Sequence, residues 1–220
     1  KSLLFMSMGA VMHQTGKIKA TDLGGLYKSM PLTTIFCIIG AASISGFPLF
    51  SGYVSKSMIL GAAAQDGMGI LWLVLIFATA GVLHHAGIKI PFHAFFGHDS
   101  GIKTKEAPLN MLLAMGIAAF LSVFIGVYPS VLYNVLPNPV DFHPYSTVHI
   151  LDTFQLLSFA VLAFVLLMLS GLHPVEWRVI LLDVDWFYRK GAKVFLRLAN
   201  RFFGNNRNDQ TDREVVVRES

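Results

Sequence analysis

Charged residues are scarce in this sequence: they make up 14% of its 220 residues, whereas 54% are hydrophobic. A soluble protein carries about 25% charged residues to cover its water-facing surface. The low charge content excludes a disordered chain, which is polar and highly charged, and a nucleic-acid-binding domain, which presents a basic surface. The composition is that of a membrane protein.

Cysteine is almost absent, since Cys37 is the only one. A single cysteine excludes an internal disulfide and therefore a disulfide-stabilised scaffold. It also leaves no cysteine set for an iron–sulfur cluster or a zinc site. The histidines form no pair on two apolar segments that resembles a haem clamp. We therefore expect the chain to bind no cofactor and no metal.

Long apolar runs are what the sequence does contain. About 20 apolar residues are needed to cross a bilayer as a helix. Four segments have that length: 31–60, 70–90, 109–135 and 151–172. The opening run, as far as residue 13, is predicted to be the end of a fifth. Because the chain opens at Lys1 next to this run and without an initiator Met, we expect it to be the C-terminal portion of a larger membrane protein.

The first segment, 31–60, is too long for one straight helix. Near its middle, Pro48 removes an amide donor, and Gly46 and Gly52 relax the backbone on either side. This pattern predicts two half-helices joined by a short unwound stretch. A bilayer tolerates such a break only where protein or a water-filled cavity satisfies the freed backbone groups.

The positive charges between the apolar segments alternate along the chain. Residues 14–30 and 89–108 contain three lysines each and the region after residue 172 contains nine Lys and Arg, whereas 61–69 and 136–150 contain none. Because loops rich in Lys and Arg stay inside, we assign the basic loops and the C-terminal tail to the cytoplasmic side of a multi-pass protein of the plasma membrane.

The region after the last apolar segment contains a pattern of basic and apolar residues that is typical of a helix. Residues 183–203 are predicted to form an amphipathic interfacial helix, because Arg189, Lys193, Arg197 and Arg201 recur every four residues beside apolar positions. A solvated helix that packs on a partner protein is the alternative.

The chain is predicted to consist of four parts. They are a transmembrane module over 1–135, a further transmembrane helix with its preceding loop over 136–172, the amphipathic region over 173–204 and a disordered polar tail over 205–220.

Two lysines lie within apolar segments, apart from the other fifteen basic residues. Lys56 follows the predicted break, and an ionisable group inside a transmembrane segment is so costly that it indicates a function. Because burial disfavours the charged ammonium, Lys56 is predicted to load and release a proton as its surroundings change. The alternative is that its side chain extends to the membrane interface. Lys1 is the second candidate for this proton relay.

His84 and His85 lie near the basic end of the segment 70–90. Neighbouring residues of a helix point about 100° apart, so only one of the two can face the interior of a bundle. A titratable imidazole there suits proton entry or exit. An interfacial polar pair at the end of a helix is the alternative.

Five short motifs stand in the first sixty residues: KSLLF at 1–5, DLGGL at 22–26, MPLT at 30–33, SGFP at 45–48 and GYVSK at 52–56. With these motifs the chain resembles the C-terminal half of the proton-translocating antiporter module. That family comprises the antiporter-like membrane subunits of respiratory complex I and the A and D subunits of Mrp-type sodium/proton antiporters. Two further motifs, IKIPF at 88–92 and EAPLNM at 106–111, are most similar to D-type subunits.

The resemblance implies a fold of two inverted five-helix repeats, each with one discontinuous helix, of which this chain holds part of the second. Lys56 matches the family's terminal site of a buried proton relay, and Lys1 matches a lysine of its central relay. The histidines expected upstream of Lys1 are missing, so that relay is incomplete here. Leu49 stands where many relatives have a second Pro, and Tyr53 where many have Phe.

The function implied by the resemblance is that of a membrane subunit of a multisubunit antiporter that exchanges Na⁺ or another monovalent cation for protons. Its expected partners are other membrane subunits, the lipid bilayer, protons and monovalent cations, without nucleic acid. We expect a transporter subunit rather than an enzyme. The alternatives are a proton-pumping subunit of NADH:quinone oxidoreductase (complex I) or of a membrane-bound hydrogenase, and a purely structural membrane subunit.

Overall fold

A computed structural model of the protein shows a helical molecule. It describes residues 1–138, 140–170 and 184–203, which fall into two compact units, one within Lys1–Glu176 and the other within Trp177–Ser220. These described residues form helices and turns and contain no strand. The predicted all-α class is confirmed.

The α-helices of the described residues are numbered in chain order: α1 Ser2–Thr15, α2 Pro31–Ser45, α3 Ser51–Gln65, α4 Gly69–Val82, α5 Leu109–Val127, α6 Pro129–Tyr133, α7 Thr147–Leu169 and α8 Val184–Phe203. Two short 3₁₀-helices, Ala20–Asp22 and Leu26–Lys28, lie between α1 and α2. Two π-helical segments, Leu83–Lys89 and Phe92–Phe96, follow α4.

The first long apolar segment is broken, as predicted. Helix α2 ends at Ser45, the following Gly46 adopts a left-handed φ of 81°, and α3 begins at Ser51 after the linker 46–50. Pro48 lies buried within this linker. Gly52, by contrast, is the second residue of α3 and not part of the unwound stretch.

The second segment extends further than the predicted 70–90. The π-helical turns carry the helical path from Gly69 to Phe96, so Lys89 lies in a helix and not in a connection. Pro91 has no amide proton for an α-helical hydrogen bond, and the wider π-helical turns before and after it accommodate that loss.

The third segment is not one helix as far as residue 135. Helix α5 ends at Val127, and Tyr128 leaves the helical conformation between α5 and α6, with φ −119° and ψ 74°. The cause is Pro129, because a proline disfavours the helical conformation of the residue before it. The fourth segment begins earlier than predicted, at Thr147, where the Ser146 hydroxyl accepts a hydrogen bond from the His149 amide. Its predicted end at residue 172 lies outside the described residues.

The core of the first unit lies between α1, α2 and α5, which pack against one another. Its most deeply buried side chains are apolar, among them Val11, Met30, Cys37, Phe95 and Met115. This packing fixes the C-terminal end of α2 beside α5, and α5 also contacts α3. The half-helices α2 and α3 therefore both pack against α5.

Apolar side chains also cover much of the outer surface. Ile70 and Phe77 on α4 are 85% and 83% exposed. Three helical stretches of the described residues are long and apolar enough to cross a bilayer: Gly69–Phe96, Leu109–Val127 and Thr147–Leu169. Such a surface requires lipid or other apolar protein around it.

The second unit contains α8, which covers the predicted helix 183–203 except for residue 183, which lies outside the described residues. Arg189, Lys193 and Arg197 are exposed, and the apolar Phe187 and Phe195 are exposed as well. The side chain of Arg201 and the tail 205–220 lie outside what the structure describes. The division of the chain at residues 135, 172 and 204 stays a prediction.

Candidate functional site

Lys56 lies on α3 and reaches back across the helix break. Its Nζ donates a hydrogen bond to the carbonyl oxygen of Ile44, at 2.6 Å. The carbonyls of Ala42 and Ser43 accept hydrogen bonds from the amides that follow α2, and Lys56 satisfies the next carbonyl. The half-buried ammonium is therefore held at the break, not extended past the end of α3.

The charge of Lys56 is subject to two opposing effects at this position. The C-terminal end of α2 carries partial negative charge from its last carbonyls, which stabilises a cation by about 0.3–1 kcal/mol at an exposed site and up to ~2 kcal/mol at a partly buried one. Burial acts in the opposite direction, because it removes water from the charged ammonium. A lysine placed between such effects can change its charge when a neighbouring charge or the local hydration changes.

Glycine at position 46 is required for this arrangement. Its φ of 81° lies in the left-handed region, which L side chains rarely adopt. A Cβ at Gly46 would also lie 3.1 Å from Cδ of Lys56, so the lysine stem packs directly over the turn.

Close backbone contacts hold the break together. A Cβ at Gly52 would overlap the carbonyl group of Ser43, and one at Gly126 on α5 would overlap the carbonyl group of Leu49. Glycine thus lets α3 and α5 approach the break as closely as they do. Leu49 itself has a φ of 76°, the only left-handed non-glycine residue among those described, which is a strained conformation.

Two cavities adjoin the break. The larger, of about 400 Å³, is lined by Lys1, Ser43, Ile44, Ser51, Gly52, Ser55, Lys56, Ile125 and Leu132. The smaller, of about 250 Å³, is lined by Lys1, Ser2, Leu3, Gly40, Ser43, Ser51, Ala118, Leu121, Ser122 and Ile125. The structure thus brings both predicted lysines to one place, because Lys1 borders both cavities and Lys56 borders the larger.

The predicted histidines lie elsewhere. His84 is half-buried and its ring packs against Phe164 at 5.1 Å, whereas the neighbouring His85 is exposed. Neither histidine lines the two cavities beside the lysines. Their role in proton entry or exit stays a prediction. Among the described residues, no group of three or more His, Cys, Asp or Glu side chains is arranged to hold a metal ion.

A tyrosine pair next to the break was not predicted. Tyr53 is fully buried and donates a hydrogen bond to the Pro144 carbonyl at 2.8 Å. Tyr145 donates to the Gly126 carbonyl, and the two phenol rings are 5.3 Å apart. Burial raises the pKa of the Tyr145 phenol, which therefore remains a neutral donor. The pair fastens the segment before α7 onto α3 and α5.

Parts of the chain are similar in sequence to known proteins. Residues 1–83 match the sequence model of the family described as NADH:quinone oxidoreductase/Mrp antiporter, transmembrane. Relatives include the A-type subunit of the Na⁺/H⁺ antiporter of Alkalihalophilus pseudofirmus, 30% identical over 152 residues, and the A1 subunit of the Na⁺/H⁺ antiporter of Staphylococcus aureus, 33% identical over 152 residues. Each alignment covers 63% of this chain and 19% of the relative, so the chain spans about a fifth of their length.

A solved structure has a similar fold. It is a chain of the membrane-bound sulfane sulfur reductase, an archaeal respiratory membrane complex, with a TM-score of 0.65 and 23% identity. The match covers 98% of this chain and 43% of that one. The sequence relatives named above are A-type subunits, so the finer assignment to the D type stays a prediction. Lys1, the helix break and Lys56 all lie within residues 1–83, the part of the chain that matches the NADH:quinone oxidoreductase/Mrp antiporter transmembrane family.

Proposed function

We propose that this chain is part of a membrane subunit that exchanges protons for Na⁺ or another monovalent cation within a multisubunit antiporter. The observation that carries the proposal is the position of Lys56, whose ammonium is bound at the helix break and borders a cavity that Lys1 also borders. The relatives named as Na⁺/H⁺ antiporter subunits support the exchanged ions.

In this proposal Lys56 alternates between a charged and a neutral state. The charged ammonium is stabilised by the Ile44 carbonyl at the negative end of α2. A cation that arrives nearby, or a protonated Lys1, repels this charge and favours release of the proton. The same shift in electrostatics favours one access pathway over the other. The chain thus couples cation movement to proton movement without a redox group.

The surface and the charge distribution support the rest of the proposal. The exposed apolar faces of α4 and α7 suit contact with lipid and with other membrane subunits of the same complex. We assign the basic loops and the C-terminal tail to the cytoplasmic side of the plasma membrane, because loops rich in Lys and Arg stay inside. On this view α8 lies at the inner leaflet, because it combines exposed basic and aromatic side chains.

A second candidate function is proton pumping in a redox-driven membrane complex. The similar fold of a chain of an archaeal respiratory membrane complex favours it. In that case the same lysines would be driven by electron transfer in other subunits. The two functions differ in what drives the proton: a cation gradient or an electron donor.

The proposal is tested with Lys56→Ala in the full-length protein, expressed with its complex. Everted membrane vesicles are assayed for proton movement on addition of Na⁺, and the complex is purified to check its assembly. The matched control is Lys103→Ala, which removes an exposed lysine from a connection. We expect Lys56→Ala to abolish Na⁺-dependent proton movement while the complex assembles and the control stays active. Full activity of the assembled Lys56→Ala complex would overturn the proposal.

A further inference from the structure

Three serine hydroxyls meet at the helix break. Ser43 comes from the end of α2, Ser51 from the start of α3 and Ser122 from α5. The Oγ atoms of Ser122 and Ser43 are 2.9 Å apart, those of Ser51 and Ser122 are 3.2 Å apart, and those of Ser43 and Ser51 are 3.3 Å apart. Each hydroxyl is thus within hydrogen-bonding distance of the other two. We call this group the serine triad.

The serine triad lines the two cavities beside the break, both of which Lys1 also borders. Ser43 and Ser51 border both of them, Ser122 borders the smaller one and Lys56 borders the larger one. Volumes of about 250 and 400 Å³ are sufficient for several water molecules, each of which occupies about 30 Å³. A path from the smaller cavity to Lys56 therefore runs past hydroxyl oxygens.

The chemistry of the hydroxyl group suits such a path. An ammonium can pass its proton to a neutral lysine amine that it does not touch only through groups between them that both accept and donate hydrogen bonds. A serine hydroxyl both accepts and donates, and its proton rotates to suit either role. The amide of Gly52 donates to the Ser43 oxygen at 3.4 Å, which helps to fix that oxygen.

We propose that the serine triad carries the proton between the Lys1 side and the Lys56 side of the break. This inference rests on the proposed function and names the groups that link its two lysines. The proton that leaves the Lys1 ammonium enters the smaller cavity and binds to Ser122 Oγ, which passes its own proton to Ser43. Ser43 and then Ser51 do the same, and water of the larger cavity delivers a proton to the neutral amine of Lys56. Each hydroxyl loses one proton as it gains one, so the triad is unchanged except for its orientation.

Ser122 is the most informative position to change. It lies on α5, outside the residues 1–83 that match the family, so the triad depends on a helix beyond the matched segment. Thr and Val have the same shape, and only Thr keeps the hydroxyl. The pair Ser122→Thr and Ser122→Val therefore separates the loss of the hydroxyl from the cost of a larger side chain.

The experiment measures Na⁺-dependent proton movement and its solvent isotope effect in vesicles that contain the full complex. We expect Ser122→Val to be about tenfold slower than Ser122→Thr, which corresponds to about 1.4 kcal/mol in the activation free energy. We also expect a larger ratio of the rates in H₂O and D₂O for Ser122→Val, because proton transfer then limits the rate. Ser45→Ala is the control: this buried hydroxyl on α2 donates to its own helix, to the Ala41 carbonyl at 2.6 Å, and should leave both values unchanged.

The outcomes distinguish this inference from the proposed function. If Lys56→Ala abolishes transport but Ser122→Val and Ser122→Thr have equal rates and equal isotope effects, the triad carries no proton and the inference is wrong while the proposed function stands. If Lys56→Ala retains full activity, the proposed function itself is wrong. A slow Ser45→Ala variant would also overturn the inference, because hydroxyls outside the triad would then have the same effect.

Discussion

Glu106 should stabilise the fold because its side chain caps the N-terminal end of α2. Its carboxylate accepts hydrogen bonds from the Leu32 amide at 2.8 Å and from the Thr33 hydroxyl at 2.6 Å, at the N-terminal end of α2. Pro31 occupies the first position of α2 and has no amide proton, and the Thr34 amide bonds to the Met30 carbonyl. The Leu32 amide therefore relies on the Glu106 carboxylate as its hydrogen-bond acceptor.

The magnitude follows from these two contacts. A hydrogen bond to a charged group contributes about 1.5–3 kcal/mol, and loss of a helix cap costs about 1 kcal/mol. We expect Glu106→Ala to lower the free energy of unfolding by about 2–3 kcal/mol, since it leaves the buried Thr33 hydroxyl without an acceptor and removes the cap of the Leu32 amide. Glu106→Gln keeps an acceptor oxygen and loses the favourable interaction with the helix dipole, so it should cost about 1 kcal/mol.

The assay is unfolding of the purified protein in detergent micelles, followed by helix content. The control is Asp141→Ala, since the Asp141 carboxylate is 99% exposed and pairs with the exposed His143, so a change of less than about 0.5 kcal/mol is expected. The expected order of stability is wild type, Glu106→Gln and then Glu106→Ala. Equal stabilities of the three proteins would refute the reasoning that Glu106 caps α2.

Three further predictions concern the break and the tyrosine beside it. Gly52→Ala places a methyl group against the Ser43 carbonyl and should cost about 1–3 kcal/mol of stability in the same assay, whereas Gly81→Ala, whose Cβ would meet open space, should cost nothing. Leu49→Gly relieves a left-handed φ of 76° and should raise the stability by about 1 kcal/mol. Tyr145→Phe should remove part of the loss of stability above about pH 10. Burial raises the pKa of the Tyr145 phenol in the folded protein. The stability that this phenol contributes is therefore complete below its pKa in the unfolded chain, and it is lost as the pH rises through its pKa in the folded protein.

Each of these predictions has a result that would contradict it. A Gly52→Ala protein as stable as wild type would show that α3 can move away from α2 without cost. A less stable Leu49→Gly protein would mean that the side chain of Leu49 contributes more than its strained backbone costs. An unchanged alkaline profile in Tyr145→Phe would mean that this phenol does not titrate differently in the folded protein.

The sequence predicted the features that depend on local pattern. Pro48 between Gly46 and Gly52 predicted the break, because proline and glycine act on their own neighbours in the chain. The apolar runs predicted helices because about 20 consecutive apolar residues are needed to cross a bilayer. Pro129 carries a similar signal for the end of α5, because a proline disfavours the helical conformation of the residue before it.

The features that depend on packing could not be predicted. The Ser43 and Ser122 hydroxyls are 79 residues apart in the sequence, and a single serine in an apolar helix carries no sign of its partner. The contact of Glu106 with Leu32, 74 residues away, is hidden in the same way. The bond from Lys56 to the Ile44 carbonyl depends on the angle between two half-helices, which the sequence pattern does not specify.

In the proposed function, cation exchange and not electron transfer drives the proton through Lys56. The most direct measurement is proton flux in proteoliposomes that contain the purified complex and a Na⁺ gradient, with no electron donor present. We predict a proton flux in the direction opposite to Na⁺ movement for the wild type and none for Lys56→Gln. Proton flux that appears only after an electron donor is added would contradict the claim and favour the redox-driven pump.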